Sequence, residues 1–323
     1  MARFLRTFST ALCAMASVWV AGSVPAHAQV PTYLTQWGTY GSGDGQFQLP
    51  SGIATDGGGN VYVGDHYNNR IQVFGSNGQF LRQWGSGGTG LGQFSFIWGV
   101  STDAAGDVFV SDPGNQRVQK FTTGGLYVSQ WGSPGFDPRG IACDALGNVW
   151  VADAVHAVVA EYDHNGAFVA GIYYPGGSDQ TWVPIDVAVD EAGDVFVADG
   201  GNFAHIWKFS SSWSLLRRWG SNGTGDGQFA ELSDITLDGS GKVYAIDGGG
   251  DRGLVFDGNG NFLAKWGAPG SGNAQFSNPS GIATDTGGNI FVSDTANDRV
   301  QKFGPLPTPT VATSWGRLKR MYR

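Results

Sequence analysis

The sequence predicts an all-β fold, a six-bladed β-propeller whose blades are four-stranded antiparallel sheets. A motif ending in aspartate recurs six times, about 41–48 residues apart, which is the size of one blade. Between Pro50 and Trp84, four short segments rich in β-branched and aromatic residues are separated by Gly, Asn, Asp or Ser, as strands and turns require. The 53 glycines among 323 residues suit a fold with many tight turns.

The fourth strand of most blades ends in Trp-Gly, and the first copy of this motif precedes every complete blade. Residues 33–38 carry it, whereas the last blade, residues 280–303, holds only three strand segments. We therefore expect residues 33–38 to complete the last blade, so that strands from both ends of the chain close the ring. An open linear stack is the alternative, but its end repeats would need polar caps that the sequence lacks.

The repeat resembles the NHL repeat family. The shared pattern is GQF, then PxGIAxDxxGNVYVxDxxNxRIQxF, then QWG, and six copies cover nearly all of residues 33–303. The third blade departs most, with Val158 in place of the arginine and residues 171–174 in place of Trp-Gly. The resemblance implies a six-bladed propeller and implies little about chemistry, because activities vary within the family.

The two ends of the chain differ in composition from the repeats. A basic start, an apolar stretch and a small-residue cleavage site predict a secretory signal over residues 1–28. A short membrane anchor is the alternative, although the apolar run is brief for a span. We expect the propeller to occupy residues 29–304 and residues 305–323 to form a proline-rich linker and a basic tail. The protein would then be secreted, periplasmic or at the cell surface, with no transmembrane segment after cleavage.

The charge balance bears on the class of partner. The formal net charge is −8 at pH 7, and a cluster of basic residues lies in the tail, outside the ring. Nucleic-acid binding needs a basic patch that neutralises phosphates, so an acidic ring argues against that partner. We expect a monomer that binds a protein, peptide or glycan.

Two polar motifs recur in the turns. An aspartate such as Asp56 follows each first strand, and we expect its carboxylate to bond turn amides; repeated calcium sites are the alternative. At the next hairpin, an aspartate and an arginine face each other in four blades. We expect each arginine to hold its carboxylate through paired hydrogen bonds, as a staple within the blade, with a catalytic dyad as the alternative. These pairs are Asp65 with Arg70, Asp112 with Arg117, Asp247 with Arg252, and Asp294 with Arg299.

Tryptophan recurs at the end of the fourth strands. We expect packing between blades, because packing requires the residue in blade after blade; a sugar-stacking platform is the alternative. These residues are Trp37, Trp84, Trp131, Trp219 and Trp266. Cys143 lies among core residues of a first strand, where we expect a small buried side chain and no nucleophile.

Residues that break the repeat where the first strands begin are the candidate site residues. Along one rim of the central channel, four positions carry a residue type that differs from the repeat: Trp98, Arg139, Asp186 and Asp234. Asp186 and Asp234 belong to neighbouring blades, so we expect a carboxylate pair that binds a cation or shares a proton. The alternative is that each carboxylate caps local backbone amides.

Three histidines, His66, His156 and His205, lie in hairpins on the same face. Zinc needs three or four converging ligands, and loop histidines without a metal are the alternative. Stretches of the third and fourth blades are similar to peptide-amidating lyases, and that resemblance implies zinc-binding histidines just before certain first strands. Those positions hold Ser51, Trp98, Arg139 and Ser280, so the ligands do not carry over. We expect no cofactor, and the identity of any metal, calcium or zinc, stays open.

The sequence favours a non-catalytic scaffold that presents a variable face to a protein, peptide or glycan. The alternative is a metal-dependent lyase or hydrolase with its site at the central channel. The residues expected to bind the ligand are Trp98, Arg139, Asp186, Asp234, His66, His156 and His205.

Overall fold

A strand from the start of the chain, β1 (Tyr33–Trp37), pairs with the last strand and closes a ring of six blades. The computed structural model describes residues 30–174 and 182–306. Each blade is a four-stranded antiparallel sheet, which confirms the predicted all-β propeller. The first strands of neighbouring blades contact one another around a central channel, and the fourth strands lie at the outer edge.

The strands of the first three blades are short and rich in β-branched and aromatic residues, which suits a pleated sheet buried on both faces. Blade 1 consists of β2 (Pro50–Thr55), β3 (Val61–Asp65), β4 (Arg70–Phe74) and β5 (Phe80–Trp84). Blade 2 consists of β6 (Val100–Thr102), β7 (Asp107–Asp112), β8 (Arg117–Thr122) and β9 (Tyr127–Gly132). Blade 3 consists of β10 (Pro138–Cys143), β11 (Val149–Asp153), β12 (Val158–Tyr162) and β13 (Phe168–Tyr173).

The remaining blades repeat this arrangement. Blade 4 consists of β14 (Pro184–Val189), β15 (Val195–Asp199), β16 (His205–Phe209) and β17 (Leu215–Trp219). Blade 5 consists of β18 (Leu232–Leu237), β19 (Val243–Asp247), β20 (Arg252–Phe256) and β21 (Phe262–Trp266). Blade 6 consists of β22 (Gly281–Thr284), β23 (Ile290–Asp294), β24 (Arg299–Phe303) and β1. Two short 3-10 turns, Pro113–Asn115 and Thr295–Asn297, are the only helical segments in the described part of the chain.

The strand β1 serves as the fourth strand of blade 6. It runs antiparallel to β24, with Tyr33 opposite Phe303 and Trp37 opposite Val300. On its other side β24 pairs with β23, which contains Phe291. This order confirms the predicted closure, and it leaves β24 without a free edge that another chain could extend.

Tryptophan side chains at the ends of the fourth strands pack against the next blade. Trp37 lies 5.7 Å from Phe74, measured between ring centroids. Its indole also covers Gly78, which has a φ of +84° and where an added Cβ would lie 2.7 Å from the ring. The same contact recurs for Trp84 on Gly125, Trp131 on Gly166 and Trp219 on Gly260. Because the indole nitrogens are buried, these contacts agree with packing between blades and not with a sugar platform.

Blade 3 lacks this tryptophan, and neighbouring side chains fill the space. Ile172 pairs with Val159 in the register that Trp84 has with Ile71. Trp182, which precedes blade 4, stacks on Phe209 with a centroid distance of 6.1 Å. The departure from the repeat therefore leaves the packing between blades intact.

In four blades the predicted aspartate–arginine pair is present and buried. Arg70 Nε donates to Asp65 Oδ2 over 2.8 Å, and the distances in blades 2, 5 and 6 are 3.0, 2.8 and 2.7 Å. The expectation of paired hydrogen bonds to the carboxylate is wrong. Each arginine gives only Nε to the aspartate, because its terminal nitrogens donate to carbonyl oxygens of the glycine-rich loop before the blade, such as those of Ser42 and Gly43. The arginine thus ties the hairpin to that loop.

Blades 3 and 4 have no arginine at this position, and other donors serve the aspartate. His156 Nδ1 lies 2.5 Å from Asp153 Oδ2, and Trp207 Nε1 donates to Asp199 Oδ2 over 3.2 Å. In blade 1, the turn after the first strand behaves as expected of a local turn, since Asp56 Oδ1 accepts the amides of Gly58 and Asn60, both at 2.9 Å.

Three further expectations concern the ends of the chain and Cys143. The predicted signal over residues 1–28 and the tail beyond residue 306 lie outside the described residues. No helix in the described ranges is long and apolar enough to cross a membrane. Cys143 contacts Ser101 Oγ at 3.5 Å, and burial raises the pKa of its thiol to about 12.

Candidate functional site

At one end, the central channel widens into a cavity of about 320 Å³, here called the mouth cavity. It lies where the first strands begin, and all six blades contribute to its lining. Its apolar wall includes Leu49, Ile185 and Leu232. Its charged and aromatic lining consists of His66, Trp98, Arg139 and Glu231. The cavity is thus open, mixed in polarity and built from loops on a rigid ring.

Two contacts hold the guanidinium group of Arg139 in place. Its Nε donates to Asp137 Oδ2 over 3.1 Å, and its guanidinium carbon lies 5.2 Å from the centroid of the Trp98 ring. Stacking and the ion pair both fix the plane of the guanidinium. Neither terminal nitrogen donates a hydrogen bond to any residue that the structure describes. Two donor groups therefore remain available in the mouth cavity.

One ring nitrogen of His66 is fixed by a hydrogen bond. Its Nδ1 lies 2.7 Å from the carbonyl oxygen of Ile97, and because a carbonyl only accepts, the proton of the neutral ring is on Nδ1. The imidazole packs with Phe96 and Tyr67, at centroid distances of 5.2 and 5.0 Å. Phe96 is 47% exposed and has a φ of +66°, an unfavourable backbone state for a bulky residue. An exposed aromatic group thus borders the cavity.

Below the mouth cavity, the channel has a volume of about 290 Å³ and is lined by the first strands. Glycine at one position of these strands lets neighbouring backbones approach closely. Gly52 donates its amide to the carbonyl oxygen of Trp98 over 2.8 Å, and an added Cβ would lie 2.5 Å from that oxygen. Asp186 and Asp234 stand at the corresponding position in blades 4 and 5, so carboxylates replace glycine there.

Asp186 and Asp234 link three blades. Asp186 Oδ2 accepts the amide of Ile235 over 2.8 Å, and Asp234 Oδ2 accepts the amide of Ile282 over 2.7 Å. The two carboxyl groups also share a side-chain hydrogen bond. Two carboxylate oxygens can bond to each other only through a proton, so this contact favours a protonated member in the pair. The arrangement caps backbone amides and also brings two carboxyl groups close enough to share a proton.

The environment of this pair favours the protonated state. Burial raises the pKa of the Asp186 carboxyl group above its usual 3.8. Burial also raises the pKa of Asp234, and the negative charge of Asp186 raises it further, well above 3.8. Both shifts act in the same direction and favour one proton held by the pair as a whole, which would lower the negative charge of the channel.

The structure separates the three histidines. His66 lines the mouth cavity, whereas His156 contacts Asp153 and His205 lies between Phe203 and Trp207. Burial lowers the pKa of His205, and its Nδ1 has no hydrogen-bond partner among the described residues. No three residues of the His, Cys, Asp and Glu types form a metal-binding group within the described ranges. The mouth cavity therefore gathers His66, Trp98 and Arg139, and the channel holds Asp186 and Asp234.

Sequence reasoning missed three residues of this region. Glu231 lines the mouth cavity, and Tyr67 and Phe96 border it beside His66. Glu231 and Phe96 lie in the loops before the first strands, one residue or more upstream of the two positions compared from blade to blade. A comparison extended over the whole loop would have marked both as variable positions.

Comparison with known proteins places the chain among NHL-repeat sequences. The family model described as "NHL repeat" matches residues 47–74, 94–121 and 276–303. Human NHL repeat-containing protein 3 is 36% identical over 76 residues, which are 23% of this chain and 22% of the relative. The B-box type zinc finger protein ncl-1 of Caenorhabditis elegans is 46% identical over 48 residues, 15% of this chain and 6% of the relative. The matched part thus spans about a fifth or less of these curated relatives.

Solved structures share the architecture at low sequence identity. A structural genomics protein of unknown function from Bacteroides thetaiotaomicron has a TM-score of 0.68 and 16% identity over 85% of this chain and 76% of that chain. A streptogramin B lyase has a TM-score of 0.61 and 14% identity, over 86% and 99%. A gluconolactonase from Xanthomonas campestris has a TM-score of 0.59 and 16% identity, over 88% and 98%. At such identities the likeness concerns the fold alone. The repeats, the ring of six blades and the matched segments together make this chain an NHL-repeat protein with a six-bladed β-propeller fold.

Proposed function

We propose that the propeller is a non-catalytic binding module that holds a protein, peptide or glycan at the mouth cavity. The observation that carries this proposal is the position of the residues that break the repeat. Trp98, Arg139 and Glu231 all line one open cavity and keep polar or aromatic surface exposed. The repeated polar residues, in contrast, are occupied by contacts within and between blades.

The physical basis is a rigid scaffold with exposed anchors at its rim. Aromatic side chains give a large contact area at a small cost in side-chain entropy, and arginine adds directional donors. Tyr67, Phe96 and Trp98 are 53%, 47% and 41% exposed, on loops set by neighbouring blades. A ligand lying across these rings would bury them without any change in the ring of sheets.

The test is a binding screen with peptide and glycan arrays, followed by titration of each hit. Trp98→Ala is expected to weaken binding by about 10-fold or more, as for a central aromatic anchor. The matched control is Trp213→Ala, since Trp213 is 39% exposed in the turn between β16 and β17, at the opposite end of its blade. Equal losses in both variants, or none in Trp98→Ala, would contradict binding at the mouth cavity.

Export is part of the same proposal. The composition of residues 1–28 supports a cleaved secretory signal, so the mature chain would begin at Gln29. Expression in a bacterium with fractionation, followed by sequencing of the amino terminus, tests this. A chain that keeps residues 1–28 and stays in the cytoplasm would contradict it.

A second candidate function is that of a metal-dependent lyase or hydrolase with its site in the channel. The specific observation in its favour is the contact between Asp186 and Asp234, which places two carboxyl groups together beside a cavity. Elemental analysis of the purified protein separates the two candidates. Stoichiometric zinc or calcium that is lost when both aspartates become alanine would support the enzyme.

A further inference from the structure

We infer that the ligand of the mouth cavity is a short zwitterionic peptide, whose carboxylate binds Arg139 and whose ammonium group binds Glu231. This inference rests on the proposed binding function and specifies the ligand of the same site. Two side chains of opposite charge line a single cavity, one from blade 3 and one from blade 5. A ligand that carries both charges would satisfy both.

Arg139 differs from the four staple arginines in the state of its terminal nitrogens. In Arg70, one terminal nitrogen donates to Ser42 and Gln83 and the other to Gly43 and Gln46. In Arg139, only Nε donates to a residue within 30–174 and 182–306, and the stacked Trp98 holds the plane of the guanidinium. A fixed guanidinium with two free donors matches the two oxygens of a carboxylate. Asp137 neutralises much of its charge, so the hydrogen bonds and their geometry carry the selectivity.

Glu231 supplies the complementary group. Its carboxylate accepts no hydrogen bond from a described residue, while its backbone amide is fixed by Asp247 Oδ1 at 2.8 Å. A side chain anchored in this way at its backbone and free at its carboxylate can accept the donors of an ammonium group. The pairing of one free acid and one free base in a cavity favours a dipolar ligand over a singly charged one.

The size and the walls of the mouth cavity favour a small peptide. About 320 Å³ is near the lower end of ligand pockets, which suits a ligand of a few residues at most. Leu49, Ile185 and Leu232 provide apolar surface for one side chain between the two charged groups. The expected ligand therefore carries an apolar side chain next to its free ends.

Glycans fit these groups less well. An acidic glycan brings negative charges only, and Glu231 would repel them. A neutral glycan would cover Glu231 without matching its charge, and a buried charged group without a partner is unfavourable. The observations thus favour the peptide, and glycan binding becomes an outcome of the test.

The experiment uses the full-length mature protein and an equimolar library of dipeptides with free termini. Retained dipeptides are identified by mass spectrometry after ultrafiltration at millimolar concentration. The best dipeptide is then titrated calorimetrically in its free, N-acetylated and C-amidated forms. Each blocked form is expected to bind about 10-fold to 100-fold more weakly, the change that follows loss of a hydrogen bond to a charged group.

Two variants assign the ends of the ligand. Arg139→Gln is expected to abolish the preference for the free carboxylate while retaining the preference for the free ammonium group, and Glu231→Gln is expected to do the reverse. Arg82→Gln is the control, because Arg82 lies on the outer strand β5 and donates to Thr123. Circular dichroism and melting curves establish that the variants are folded.

The remaining outcomes separate this inference from the proposed function. Equal binding of free and blocked dipeptides would overturn the zwitterion. Retention of no dipeptide, together with Trp98-dependent binding of a glycan or a longer peptide, would overturn the inference and leave the binding function intact. No binding in either screen would overturn both.

Discussion

Blades 6, 1 and 2 follow the repeat closely, whereas blades 3, 4 and 5 depart from it in different ways. The first group has a complete staple in each blade, and its first strands carry glycine at the channel. Blades 3 and 4 lack the staple arginine, and blades 4 and 5 carry Asp186 and Asp234 in place of glycine. The candidate charged groups of the mouth cavity, Arg139 and Glu231, come from this second group.

The contrast shows how a repeat protein divides its residues between two tasks. A contact that stabilises the blades themselves recurs from blade to blade, so the recurring aspartates and arginines mark the framework. A ligand is asymmetric and contacts each blade differently, so its binding residues are expected where the repeat breaks. Four predictions test this division, from the largest expected effect on stability to the smallest.

Removal of residues 1–38 should have the largest effect, because it opens the ring. Strand β24 would lose its outer partner, and blade 1 would lose the packing of Trp37, so we expect a loss of more than about 5 kcal/mol of stability, or no folded monomer. Size-exclusion chromatography and thermal melting measure this. Removal of residues 1–28 alone is the control and should leave the fold intact; an unchanged melting curve after the longer deletion would contradict circular closure.

Arg117→Ala should have the next largest effect. The side chain is buried, and its loss removes the cation that pairs with Asp112 and the donors to the carbonyl oxygens of Thr89 and Gly90. Breaking a buried pair on one side costs about 3–5 kcal/mol. The melting temperature should fall while ligand binding is kept. Arg82→Ala serves as the control, and unchanged stability of Arg117→Ala would refute the staple.

Asp234→Asn should change how stability depends on pH. Because burial and Asp186 raise the pKa of Asp234 in the folded protein, the folded state binds more protons than the unfolded chain between the ordinary pKa of 3.8 and that raised value. The stability that protonation of Asp234 contributes should therefore be lost as pH rises through this window. An asparagine amide imitates the protonated acid, accepting from Ile282 and donating to Asp186, so the variant should lose this slope.

Urea unfolding from about pH 4 to about pH 8 measures this difference, with melting temperature as a second readout. Asp226→Asn is the control, because Asp226 forms an exposed pair with Lys265. Parallel pH profiles for Asp234→Asn and the natural protein would show that the pair holds no shared proton.

Arg139→Gln should have the smallest effect on stability. Its ion pair with Asp137 is partly exposed, with side-chain exposures of 29% and 25%, and such pairs contribute about 0–1 kcal/mol. Equilibrium unfolding of Arg139→Gln and Arg117→Ala, measured side by side, compares the contribution of an arginine to stability in the two groups of blades. A loss in Arg139→Gln as large as that in Arg117→Ala would remove the distinction between framework and site.

The architecture was predictable because its causes are local and repeated. The strand pattern, the glycine turns and the missing fourth strand of the last blade together determined the ring and its closure. The contact between Asp186 and Asp234 also follows from counting blades, since equal positions in adjacent blades meet at the axis. Sequence spacing therefore predicts those contacts that follow from the symmetry of the repeat.

The mouth cavity was only partly predictable, because side-chain contacts between loops do not follow from spacing. Nothing in the sequence indicates that Arg139 stacks on Trp98, or that His156 replaces the missing arginine as a partner of Asp153. The terminal nitrogens of the staple arginines likewise reach loop carbonyls that the pairing pattern does not reveal. These contacts depend on loop conformation, including the left-handed backbone conformation of residues such as Phe96.

Closure by β1 also sets the order in which the protein can mature. The strand that blade 6 needs is made first, and its partner β24 is made some 260 residues later, since β1 and β24 are Tyr33–Trp37 and Arg299–Phe303. During synthesis the chain therefore cannot finish its last sheet until β24 has been made. Circularisation is thus a late event in folding, because it joins strands from the two ends of the ring.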